Sequence, residues 1–199
     1  MSPVPLETPS SVEPARGSSF VTAEQFAERS SSQREELVDG KIVAMPPAQF
    51  PHGWIILNLG ERLNRYARER GDGFATTDEG VRTSRDRETV RAPDLLFFNN
   101  ERLAGREPTD GYHVVPPVLC VEVISQHDRW SDVQAKTTEY LAAGVDEVWL
   151  VDPELRTVTQ VSEGRSDTVR CGQQLTSSTL PGFTVPVEDL FWSSRKSHA

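Results

Sequence analysis

The chain has 199 residues, 36% hydrophobic and 26% charged, with a formal net charge of −9. That length suits one domain with a substantial core, and no apolar run approaches the roughly 20 residues of a membrane span, so no membrane partner is expected. The negative balance excludes a protein that coats nucleic acid through a broad basic surface, although a local groove is compatible with it.

Residues 1–19 are rich in Pro and Ser and read as a disordered tail; residues 193–199 form a second tail, leaving one domain over 20–192. The amino terminus has no apolar signal-peptide core, so a cytoplasmic location is expected. Thr22-Ala-Glu-Gln25 is a capping-box start for a short helix through Arg29. In Glu36–Met45, Asp39-Gly40 marks a two-residue hairpin between alternating segments. Met45-Pro-Pro47 to Pro51 is a connection, and a helix follows from about His52 to Arg70 with Ile55, Ile56, Leu59, Leu63 and Tyr66 on its apolar face. Gly71-Asp-Gly73 stops it. Short strands are expected at Phe74–Thr77 and Gly80–Thr83, joined by Asp78-Glu79.

Val90–Phe98 reads as a strand beginning near Pro93, in which Asp94 alternates with Leu96 and Phe98. A polar loop with a short helix near Asn100–Ala104 leads to Val118–Ile124, an apolar β-branched run with the length of a central strand. Ser131 or Asp132 would cap a helix to about Ala143, with Gly144 beyond its end. Glu147–Val151 is another buried strand. The strand–helix–strand order implies a parallel pair with a right-handed crossover. Thr157–Val161 and Asp167–Arg170 form a hairpin, and Leu180–Phe191 a closing strand and turn. The fold class is therefore α/β, a mixed β-sheet flanked by helices.

Three charges inside apolar patterns carry the chemistry. Alternation places Glu122 with Cys120 and Ile124, opposite Leu119, Val121 and Val123, and a carboxylate on a buried face needs a metal, a cation or hydrogen bonds. Lys136 falls between Val133 and Tyr140 on the inner stripe of the following helix, so its ammonium can reach the same layer. Asp94 begins a neighbouring strand. Two carboxylates with a lysine beside them suit Mg2+ or Mn2+ and an activated water. Each has a plainer explanation: a turn cap for Asp94, a structural salt bridge for Glu122, a surface pair with Asp132 for Lys136. The basic clusters Arg62–Arg70 and Arg82–Arg91 read mostly as solvated faces balanced by neighbouring acids. Trp149 and Trp130 read as core and loop packing, Gln134 as a solvated helix residue, and Cys120 as a small buried hydrophobe.

Pro93-Asp94, Glu122 within Val-Glu-Val-Ile-Ser, Lys136 before Tyr140, and Gly144–Asp152 together resemble the putative restriction endonuclease family of the PD-(D/E)XK nuclease superfamily. The likeness runs from about Thr22 to Phe191. It implies a restriction-endonuclease-like fold and a Mg2+- or Mn2+-dependent endonuclease cutting DNA, of restriction or repair type. Asp94 and Glu122 would hold the metal with the main-chain carbonyl of Val123, and Lys136 would orient water or offset developing charge. Ile124 stands where the superfamily usually has this lysine, so the resemblance implies that the amine has migrated to the helix. Gln126-His-Asp128 replaces the Pro-Ser-Thr typical of relatives. Glu36, in the family's Glu-Leu-x-Asp-Gly segment, and His52, at a helix start, are secondary candidates. The second reading is an inactive nuclease-fold module binding nucleic acid or protein. A homodimer stays open, since no segment marks an interface.

Overall fold

The structure, a computed structural model, describes residues 20–31, 33–106, 112–113, 115–126 and 128–193. The expected tail at 1–19, and 194–199 of the second one, lie outside them. Helix α1 (Ala23–Ala27) opens with the expected capping box on Thr22 and Gln25. Strands β1 (Glu35–Val38) and β2 (Lys41–Ala44) form the hairpin, with Asp39 and Gly40 both at positive φ as a two-residue turn of this hand requires. Helix α2 (Phe50–Arg70) starts two residues earlier than the periodicity indicates. Pro51 belongs to its first turn, where a missing N–H costs nothing.

Strands β3 (Phe74–Thr76) and β4 (Val81–Ser84) do not pair, although only a few residues separate them. Val90–Phe98 is likewise not one strand. It divides into β5 (Thr89–Arg91) and β6 (Leu95–Phe98), which belong to different sheets. The break falls at Ala92-Pro93-Asp94, where proline lacks a ladder donor. Then come α3 (Asn100–Leu103), β7 (Leu119–Val123), α4 (Trp130–Ala142) and β8 (Glu147–Asp152). Neither Ser131 nor Asp132 caps α4; its N-cap is Arg129, without a side-chain hydrogen bond. Gly144 ends the helix region with φ +97°. Strands β9 (Thr157–Ser162), β10 (Arg165–Arg170), β11 (Gln174–Thr176) and β12 (Thr184–Pro186) follow, and Val187–Leu190 is a 3-10 turn.

The main sheet is mixed and six-stranded, in the order β10-β9-β8-β7-β6-β3, with β7 and β8 as the parallel pair. A separate antiparallel sheet runs β2-β1-β5-β4. One face of the main sheet buries Leu119, Val121 and Val123 with Ile55, Leu59 and Leu63 of α2. The other packs Cys120 and Leu150 against Val133 and Tyr140 of α4. The alternation expected for β7 thus sorts its side chains correctly, and Trp149 is fully buried. The two cysteines are free thiols.

Candidate active site

The site lies where β6 begins and β7 ends. Leu95 stands opposite Val121 and Leu96 opposite Cys120, so one further step of the antiparallel register sets Asp94 across from Glu122. Asp94 precedes the ladder, and its Oδ2 accepts the Val123 amide at 2.8 Å in place of a strand carbonyl. His52 Nε2 lies 3.0 Å from the same oxygen, and Arg34 Nη2 donates to Oδ1 at 3.2 Å while also reaching Asp78 at 2.7 Å. Burial pushes the Asp94 carboxyl up, but His52, the Val123 amide and Arg34 outweigh it and hold it below the ordinary range.

Glu122 is less well compensated. Tyr140 donates its hydroxyl to Oε1 at 2.6 Å, and Lys136 Nζ lies 3.7 Å from Oε2. Burial raises the carboxyl from 4.5 to about 7, with Asp94 and Glu36 adding to the rise against the opposing Lys136 and Tyr140. Lys136 is drawn closer to Glu36, 3.0 Å from its Oε1, and makes no ion pair with Asp132. Burial alone would lower the ammonium, yet Glu122 and Glu36 raise it above its usual value.

Glu36, only 1% exposed, also accepts the Ala92 amide at 3.2 Å and Arg91 Nη1 at 2.9 Å. Arg91 forks onto Glu139 of α4, with Nε at 2.7 Å and Nη2 at 3.1 Å. The small sheet is therefore tied to α4 through buried charge.

The structure brings Asp94, Glu122, Lys136, Glu36 and His52 into one linked constellation. Gln134 stays exposed, and Trp130 is exposed at the start of α4 rather than packed in a loop. Sequence reasoning missed Arg34, Arg91, Glu139 and Tyr140. Tyr140 and Glu139 carry a signal, lying one helical turn beyond Lys136. Arg34 lies two residues before Glu36. Arg91 sits in the basic cluster Arg82–Arg91, whose members Arg82 and Arg87 pair with the acids Glu88 and Asp39, and nothing in the pattern sets it apart from them.

The donor set fits a divalent cation. Two hard oxygen donors stand at one register level on neighbouring strands, and one of them, Glu122, is a partly buried carboxyl whose nearest cation, the Lys136 ammonium, is 3.7 Å away. Among the described residues no group of three or more His, Cys, Asp or Glu side chains could hold an ion, so such a cation would rely on main-chain, water and substrate oxygens besides the two carboxylates, as Mg2+ commonly does. His52 Nδ1 and Arg34 Nε are buried beside Asp94 with no hydrogen-bond partner.

A family model described as "Uma2: Putative restriction endonuclease" matches residues 22–188. The chain belongs to this family. Among solved structures similar to it is a putative nuclease belonging to DUF820 from Anabaena variabilis. That likeness has a TM-score of 0.74 and 18% identity, covering 86% of this chain and 97% of that one; it shows the fold, which is restriction-endonuclease-like as the sequence implied. No curated protein matches the chain. Membership of the putative restriction endonuclease family supports a nuclease, and no helix among the described residues is long and apolar enough to cross a membrane.

Proposed function

We propose that this protein is a divalent-metal-dependent endonuclease that hydrolyses phosphodiester bonds of DNA. The observation that carries the reading is the pairing of a partly buried, under-compensated Glu122 with Asp94 across the β6–β7 register, with the Lys136 ammonium 3.7 Å from Glu122. Asp94 and Glu122, with the main-chain carbonyl of Val123, would hold Mg2+ or Mn2+. In an antiparallel ladder the amide and carbonyl of one residue face the same neighbour, and the Val123 amide already faces Asp94. When bound, the cation supplies Lewis acidity at a phosphodiester near neutral pH.

The chain's own groups divide the remaining work. Lys136 keeps its charge through neutral pH and can orient water or offset negative charge developing on phosphoryl oxygens. Glu36 positions that ammonium and is itself fixed by Arg91. Tyr140 holds one oxygen of Glu122 and leaves the other toward Lys136. His52 anchors Asp94. The test is incubation of plasmid, single-stranded DNA and RNA with Mg2+ or Mn2+, using the parent, Glu122→Ala and Lys136→Ala. Cleavage by the parent alone is expected; cleavage by either variant at the parent rate overturns the assignment. Calorimetry separates an inactive scaffold, which would bind Mg2+ no better than Glu122→Ala does.

A further inference from the structure

On the face of the main sheet that carries Glu122, α4 packs over β7 and β8, and the cluster beneath it extends to Val161 of β9. Beyond it opens a groove of about 400 Å³ lined by Ile124, Trp130, Leu150, Thr159, Thr168 and Arg170 among others. The pairing registers connect this groove to the site. Glu122 is opposite Leu150, Leu150 opposite Thr159, and Thr159 opposite Thr168, so the four form one cross-strand row. Strands are spaced about 4.8 Å apart, which puts the first groove residue one strand from Glu122 and Thr168 roughly 14 Å away. The next row runs through Asp152, Thr157 and Arg170, beside Ile124.

The chemistry of the lining selects its occupant. Trp130 is 56% exposed and Leu155, at the groove's rim, 72% exposed. Among the described residues the Trp130 ring stacks on no other ring and Arg170 forms no ion pair. The Thr159 and Thr168 hydroxyls bond one another at 2.9 Å and offer polar contacts along the groove. An open indole, a row of hydroxyls and an unpaired guanidinium match a base, its sugar and a phosphate. A duplex keeps its bases stacked inside and would have to unpair and flip one out to reach Trp130. Elsewhere Arg62, Arg82, Arg87, Arg91 and Arg102 are occupied by acids, so a protein of net charge −9 has little general attraction for duplex phosphates.

We infer that this groove seats an unpaired nucleotide of the strand being cut, a few nucleotides from the scissile bond, its base on Trp130 and a phosphate at Arg170, so that the preferred substrate is single-stranded DNA or an unpaired DNA segment. The inference deepens the nuclease reading and rests on it for the direction in which the strand enters. It is tested without metal, so that binding is read separately from cleavage. The full chain is titrated in EDTA with oligo-dT and with a duplex of equal length, following tryptophan fluorescence and competition. The parent is expected to favour the single strand. Trp130→Ala should weaken that binding roughly 5- to 150-fold, the range for loss of one base stack; Trp130→Phe should retain most of it, and Arg170→Glu should weaken it independently. Equal affinity of Trp130→Ala and parent for oligo-dT, or equal affinity of the parent for single strand and duplex, overturns the inference. A parent that binds through Trp130 yet cuts nothing upholds the groove and sinks the nuclease reading. Cleavage of single strands indifferent to Trp130→Ala does the reverse.

Discussion

Glu122→Gln removes a partly buried charge while keeping the side chain's shape and an oxygen for Tyr140. In the folded protein the carboxyl is raised from 4.5 to about 7, so the folded state holds its proton more tightly than the unfolded chain. The stability this group permits is fully present below pH 4.5 and lost as pH rises through about 7. At about 1.4 kcal/mol per unit, the ionised carboxylate costs about 3 kcal/mol above pH 8 relative to a neutral side chain. Glu122→Gln should therefore be more stable than the parent by about 3 kcal/mol at pH 8.5, a Tm rise of roughly 6–12 °C for a domain of this size. At pH 4.5 the difference should nearly vanish. Urea titrations at the two pH values, in EDTA, give the numbers. Added Mg2+ should raise the Tm of the parent and leave Glu122→Gln unmoved, because a ligand stabilises only the state that binds it. A variant less stable than the parent at pH 8.5, or a difference that does not change with pH, would refute the reasoning.

Other expectations follow from the same geometry. Lys136→Ala should lower cleavage roughly 10²–10³-fold while calorimetric Mg2+ binding stays within a few-fold of the parent; equal loss of both would make the lysine a structural counter-ion. Arg91→Ala leaves Glu36 and Glu139 facing each other without their shared cation, and should cost about 3–5 kcal/mol in denaturant unfolding. Arg91→Lys, unable to fork across both carboxylates, should recover only part of this. Gly73 has φ +86° and a Cβ there would run into the Phe98 carbonyl oxygen, so Gly73→Ala should cost roughly 2 kcal/mol or more by thermal melt.

The elements legible in the sequence are those whose pattern is local. β7, α4 and β8 announce themselves through an apolar run, a 3.6-residue stripe and a second apolar run, and their parallel pairing follows from chain geometry alone. The hairpin at Asp39-Gly40 is equally self-contained. The division of Val90–Phe98 between two sheets was not legible, because β-branched and aromatic residues continue on both sides of Pro93 and nothing in the pattern states which partner each half will find. Of the site, Glu122 and Lys136 stood out as charges in apolar surroundings. Arg91 did not, since among six neighbouring basic and acidic residues its burial depends on Glu36 and Glu139, 55 and 48 positions away.

The crossing at Ala92-Pro93-Asp94 brings β1, β6, β7 and α4 to one point, with Glu36 of the small sheet gripping the amine of Lys136. No contiguous stretch shorter than residues 36–136 contains the set. On the nuclease reading proposed above, a nascent or half-assembled chain would lack a working site, and strand scission would switch on only once both sheets had docked.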